Sequence, residues 1–117
     1  MTTIILNHQP YDGSDVTWNA LRLAKTLHKS GEEINIFLMN DAVDLARNKT
    51  QKPESYDYDL VEMLKKMYEN GINLQVCGTC NARCGLFKNE PYFDDKISST
   101  MQILGDWVLE SDKILTF

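Results

Sequence analysis

The chain has 117 residues, 43% of them hydrophobic and 25% charged, and a formal net charge of −5. That length lets one domain, residues 1–117, bury a core without disulfide staples, and the composition is that of an ordinary globular domain. The acidic balance argues against nucleic acid as a main partner and against a polybasic membrane patch, because both need clustered Lys and Arg.

Residues 2–7 read as a first strand, short, β-branched and apolar. The opening apolar run, residues 4–6, is far too short for a signal-peptide core, and no stretch approaches a membrane span. A cytoplasmic location is therefore expected. The turn-rich loop "HQPYDGSD" follows, with Ser14 or Asp15 as the cap of the next helix. Val16, Ala20, Leu23, Ala24 and Leu27 then recur at helical spacing, and Gly31 suits the left-handed position that closes a helix. "EINIFLM", residues 33–39, is a near-continuous apolar run, as expected of a strand buried on both faces.

Asn40 or Asp41 is expected to cap a short helix over 42–48. The polar segment "KTQKPESYD" reads as a loop, and as a mobile one. Leu60, Val61, Met63, Leu64 and Met67 mark another helix, closed by Gly71. A third strand over 72–76 runs into a cysteine cluster, with a short helical turn expected over 82–87. The loop "KNEPYFDD", a weak strand at 96–97, a helix capped by Ser98 or Ser99, and a last strand "KILTF" complete the chain. Strands alternating with helices predict a mostly parallel five-stranded sheet with helices on both faces, a three-layer α/β/α arrangement of flavodoxin or Rossmann type.

In open α/β sheets, ligands bind outside the carboxyl ends of the strands. Three loops leave such ends: residues 8–15, 40–41 and 77–84. His8, Tyr11, Asp12 and the cysteines are therefore expected on one rim.

The segment "VCGTCNARCGL" holds all three cysteines, Cys77, Cys80 and Cys84. Several chemistries fit. Cys77 and Cys80 have a Cys-x-x-Cys metal spacing, but no second such pair supplies a closed site, and His8 is the only histidine expected nearby. "CGTC" at a helix start suits a redox pair, although the order of elements is not that of thioredoxin. Cys77 and Arg83 have the Cys-x5-Arg spacing of low-molecular-weight phosphatases and arsenate reductases, whose loop amides and arginine cradle a tetrahedral oxyanion. Cys84 stands where those enzymes carry Ser or Thr, and their loop follows the first strand.

A persulfide carrier needs less. It requires a partly exposed thiolate with anion support from loop amides and Arg83, and a second thiol to assist. Three buried structural thiols are the plain alternative. Three cysteines in eight residues at a strand's carboxyl end favour function, with Cys84 the one most readily assigned to the core.

Elsewhere, "PYDGSD" lacks both GxGxxG and GxxxxGK, which argues against a nucleotide. Trp18 and Trp107 are expected to pack within the fold or between subunits. Asp57, Asp59 and Glu62 read as a solvated face with helix N-terminal charge.

Taken together, "NHQPYDGSD" leading to "NALRLAKTL", "IFLMNDAV", "LQVCGTCNARCGL" and "SSTMQILGDWVLESDKILTF" resemble the DsrE/DsrF-like sulfur-relay family over nearly the full chain. The resemblance implies a small α/β/α domain that assembles into trimers or hexamers and carries a persulfide on a cysteine just after the third strand. Cys77 matches that position by its distance to Arg83 and Gly85, and Cys80 matches the second cysteine of a "CGTC"-like subset. The function expected is a sulfur carrier with sulfurtransferase-like chemistry, working between donor and acceptor proteins without cofactor or resident metal. Cys77 and Cys80 would carry the chemistry, supported by Gly78, Arg83, Cys84, His8 and Asp12.

Overall fold

The computed structural model is described over residues 1–79 and 91–117. The elements in order are β1 (Thr2–Leu6), α1 (Val16–Lys29), β2 (Ile34–Leu38), a 3₁₀ helix (Asn40–Ala46), α2 (Leu60–Glu69), β3 (Asn73–Cys77), a 3₁₀ turn (Asp95–Ile97), β4 (Ser98–Ser99), α3 (Met101–Glu110) and β5 (Lys113–Thr116). The helical turn expected over 82–87 lies outside the described residues.

One five-stranded sheet runs in the order β4-β3-β2-β1-β5. Every neighbouring pair is parallel. The chain steps one way from β1 to β4, then returns past the sheet to place β5 beside β1. Right-handed crossovers put α1 and α2 on one face and α3 on the other. Trp107 of α3 meets the Phe37 ring edge-on at 6.1 Å, with β2's Ile36 and Leu38 facing the opposite way. All five β2 residues are buried, as the continuous apolar run requires of a central strand.

Local chemistry sets the helix ends. At the end of α1 the Gly31 N–H donates to the His28 carbonyl and the Glu32 N–H to the Leu27 carbonyl. Gly71 and Ile72 repeat that pattern on Tyr68 and Met67 after α2. Both are Schellman endings, and both glycines take positive φ, +92° and +100°.

Three capping expectations change. α1 is preceded by Asp15, whose carboxylate accepts the Tyr56 hydroxyl (3.0 Å) and caps nothing, while the Ser14 hydroxyl accepts the Val16 N–H. Asn40 does not cap a helix. It turns the chain at φ 52°, and its amide donates to Asn7 Oδ1 at 2.9 Å. Thr100, not Ser98 or Ser99, caps α3 by accepting the Ile103 N–H. The two serines are β4 itself, in register with Val76 and Cys77. The strand expected at 96–97 is displaced because the Asp94 carboxylate takes the Lys96 N–H and folds that stretch into a turn.

The loop expected to be mobile is tied down by its tyrosines. Tyr56 reaches Asp15. Tyr58 stacks on Trp18 at 4.5 Å, and Arg22 lies 4.2 Å from the same indole ring. On the α3 side of the sheet a buried polar chain crosses three strands. The Asn73 amide donates to Asn35, the Asn35 amide donates to Thr3 Oγ1, and Thr3 and Ser111 share a hydroxyl hydrogen bond at 2.6 Å. Each buried polar atom in that chain is partnered, as buried polar atoms ordinarily are.

Candidate functional site

Parallel strands bring all five carboxyl ends to one edge, so the expected rim exists. Its first part is the loop after β1. Asp12 accepts both the N–H and the hydroxyl of Ser14, which holds its carboxyl below the ordinary carboxylate range. His8 Nδ1 lies 3.8 Å from Asp12. The Tyr11 hydroxyl accepts the Leu60 N–H at 2.9 Å, joining this loop to the start of α2. Tyr11 and Asn40, the non-glycine residues with positive φ among the described residues, both sit on this rim. Such backbone is costly for L-residues and gathers at ligand sites.

The second part is the end of β3. Cys77 is buried, 7% exposed, at the last position of the strand, not the partly exposed thiol that the sequence predicts, because it packs into the core at the end of β3. Its Sγ lies 3.1 Å from the Thr79 hydroxyl. Its carbonyl accepts the Tyr92 hydroxyl at 2.7 Å. Next, Gly78 donates its N–H to the Ser99 carbonyl at 2.9 Å, extending the β3–β4 ladder past the strand. A Cβ on Gly78 would stand 2.9 Å from that same carbonyl and 3.1 Å from Ser98 Oγ, so the approach needs glycine.

Tyr92 is held by a short antiparallel contact between 46–48 and 91–93. Asn48 N–H donates to Pro91 O, Phe93 N–H donates to Ala46 O, and Arg47 bridges Tyr92. Arg47 is 4% exposed, with Nε 2.7 Å from Asp44 Oδ1 and its guanidinium over the Tyr92 ring. Half-buried Asp44 and buried Arg47 and Tyr92 thus form a chain that ends on the Cys77 carbonyl. An open cleft of about 350 Å³ lies beside it, between Pro10 and Tyr11 on one side and Arg47 and Thr50 on the other.

Of the residues singled out in the sequence, Cys77, Gly78, His8 and Asp12 lie on the carboxyl edge. β2 stands between the first pair and the second, so the two groups belong to strands about 10 Å apart. Cys80, Arg83 and Cys84 lie outside the described residues. Sequence reasoning missed Thr79, Tyr92, Ser99 and Arg47. The Asp44–Arg47 spacing, one helical turn, was a visible signal for that pair. Nothing local announces Tyr92 or Ser99, because each meets Cys77 across strands or loops distant in the chain.

The architecture and the site together define a class: a small, all-parallel α/β domain with a cysteine at the carboxyl end of its third strand. The DsrE/DsrF-like family matches residues 1–117, and the chain belongs to that family. It is 35% identical over 115 residues to an uncharacterized protein of Methanopyrus kandleri, covering 98% of this chain and 92% of that one. It is likewise 35% identical over 116 residues to YchN of Escherichia coli, covering 97% and 96%. The crystal structure of the E. coli YchN protein superposes with a TM-score of 0.82 at 34% identity, over 99% of this chain and 97% of that one.

Proposed function

We propose that this protein is a small cytoplasmic sulfur carrier with sulfurtransferase-like activity, and that Cys77 bears the sulfur. The Cys77 thiolate attacks the outer sulfur of a donor persulfide. A new sulfur–sulfur bond forms, the donor's own bond breaks, and the electron pair leaves on the donor thiolate. An acceptor thiolate then takes the outer sulfur by the same displacement and returns Cys77 as thiolate. No net oxidation occurs, so no cofactor is required.

The observation that carries this reading is the setting of Cys77 in a chain of the DsrE/DsrF-like family. Its sulfur ends β3 at the sheet's carboxyl edge, with the Thr79 hydroxyl positioned to donate to it. Cys80 would assist or resolve, and Arg83 would offset negative charge. Cys84 would play a supporting, structural part, and His8 and Asp12 would line the rim where a partner docks. The partners are a sulfur donor protein, an acceptor protein and further copies of this chain in a trimer or hexamer.

The Cys-x5-Arg phosphatase alternative requires successive loop amides aimed at an oxyanion. The first of them, Gly78 N–H, is spent on Ser99, which weighs against it.

A transfer assay tests the reading. With glutathione persulfide as donor and a small thiol as acceptor, the protein should accelerate sulfur transfer, and Cys77→Ser should abolish the acceleration. Turnover of an aryl phosphate that vanishes in Cys77→Ser would instead establish the phosphatase chemistry.

A further inference from the structure

We propose that Ser99 is the seat of the transferred sulfur, its hydroxyl donating a hydrogen bond to the outer sulfur of a Cys77 persulfide. This deepens the carrier reading and rests on it.

Ser99 is the register partner of Cys77 across the parallel β3–β4 pair. Register partners in parallel strands present their side chains on the same face, about 4.8 Å apart at the backbone. The Ser99 hydroxyl is buried, yet it has no hydrogen-bond partner among the described residues. Most buried hydroxyls are partnered, and an exception calls for a reason. The chain from Asn73 to Ser111 on the same sheet shows this protein pairing its other buried polar side chains.

In the unloaded protein Cys77 does not satisfy the Ser99 hydroxyl. The Cys77 sulfur already meets the Thr79 hydroxyl at 3.1 Å. A second sulfur, bonded at about 2.05 Å from the first, lengthens the Cys77 side chain on the face it shares with Ser99. The outer sulfur of a persulfide ionises readily, so the bond it accepts is charge-assisted. Ser99 is then unsatisfied in the empty carrier and satisfied in the loaded one. The Gly78–Ser99 backbone bond holds the two strand ends in place while this happens.

The test compares wild type, Ser99→Ala and Ser99→Thr after loading with glutathione persulfide, the sulfur being located by peptide mass mapping. All three should load at Cys77. Ser99→Ala should lose the sulfur to dithiothreitol about tenfold faster than wild type, and Ser99→Thr should restore slow loss. Loading should raise the melting temperature of wild type more than that of Ser99→Ala. Unloaded Ser99→Ala should be at least as stable as wild type, because an unpartnered hydroxyl gives up nothing. Equal rates of sulfur loss in wild type and Ser99→Ala would overturn the proposal. So would a destabilised or misfolded unloaded Ser99→Ala, which would mean that the hydroxyl already holds a buried water. Wild type that takes no sulfur on Cys77 would overturn the carrier reading itself, and no variant is needed to see that outcome.

Discussion

Gly78 shows how tightly single residues are constrained at the end of β3. The chain must leave Cys77 with its next N–H on the Ser99 carbonyl, and a methyl group there would press on that carbonyl at 2.9 Å. A backbone carbonyl in a ladder cannot swing aside as a flexible side chain can. Gly78→Ala should therefore cost about 1–3 kcal/mol, read from the midpoint of denaturant unfolding, and should slow the loading of Cys77. An alanine variant as stable as wild type would show that β4 yields freely. At this scale the sequence was legible only in part. The place of Cys77 could be read from a strand's end. Ser99 looked like a helix cap because two serines before "MQILGDW" resemble one, and only pairing with β3 makes them a strand. Tyr92 and Arg47 were invisible as a unit because their meeting depends on the 46–48 and 91–93 segments touching.

Among the elements, α1 and α2 were legible: period and terminal glycine both agreed, and local agreement of that kind marks a foldable sequence. The connection between the first 3₁₀ helix and α2 was not. It reads as polar and loose, yet Tyr56 bonds Asp15 at the start of α1 and packs edge-on to Tyr11 at 5.5 Å. Burial first, and the Asp15 carboxylate second, push the Tyr56 phenol up to about 12. The unfolded chain would ionise it near 10. A group raised on folding contributes stability that is complete below its unfolded value and fades as pH climbs through its folded one. Unfolding free energy should thus fall between about pH 10 and 12, and Tyr56→Phe should flatten part of that fall. An absorbance titration in which every tyrosine ionises near 10 would contradict the anchoring role.

For the molecule as a whole, alternation of strands and helices was enough to specify an α/β sheet, and the sheet proves parallel throughout. What alternation cannot convey is how the last helix meets solvent. α3 leaves Leu109 86% exposed and Met101 62% exposed, with Ile103 and Ile114 of β5 also open. Exposed apolar groups on both α3 and β5 suit contact with another chain. They support the proposed homo-oligomer. Light scattering should give a trimer or hexamer for wild type and a smaller species for Leu109→Lys. A wild-type monomer at micromolar concentration would contradict the proposal. Among the described residues no helix is long and apolar enough to cross a membrane.

The central claim is that Cys77 carries sulfur. Its most direct test is to treat the protein with a sulfane-sulfur donor, trap the products with an alkylating agent and map them by mass spectrometry, in wild type and in Cys77→Ser. The account predicts one added sulfur atom on the Cys77 peptide, removed by dithiothreitol and absent from Cys77→Ser. An unmodified Cys77 under conditions that load a control persulfide carrier, or sulfur found undiminished in Cys77→Ser, would contradict it.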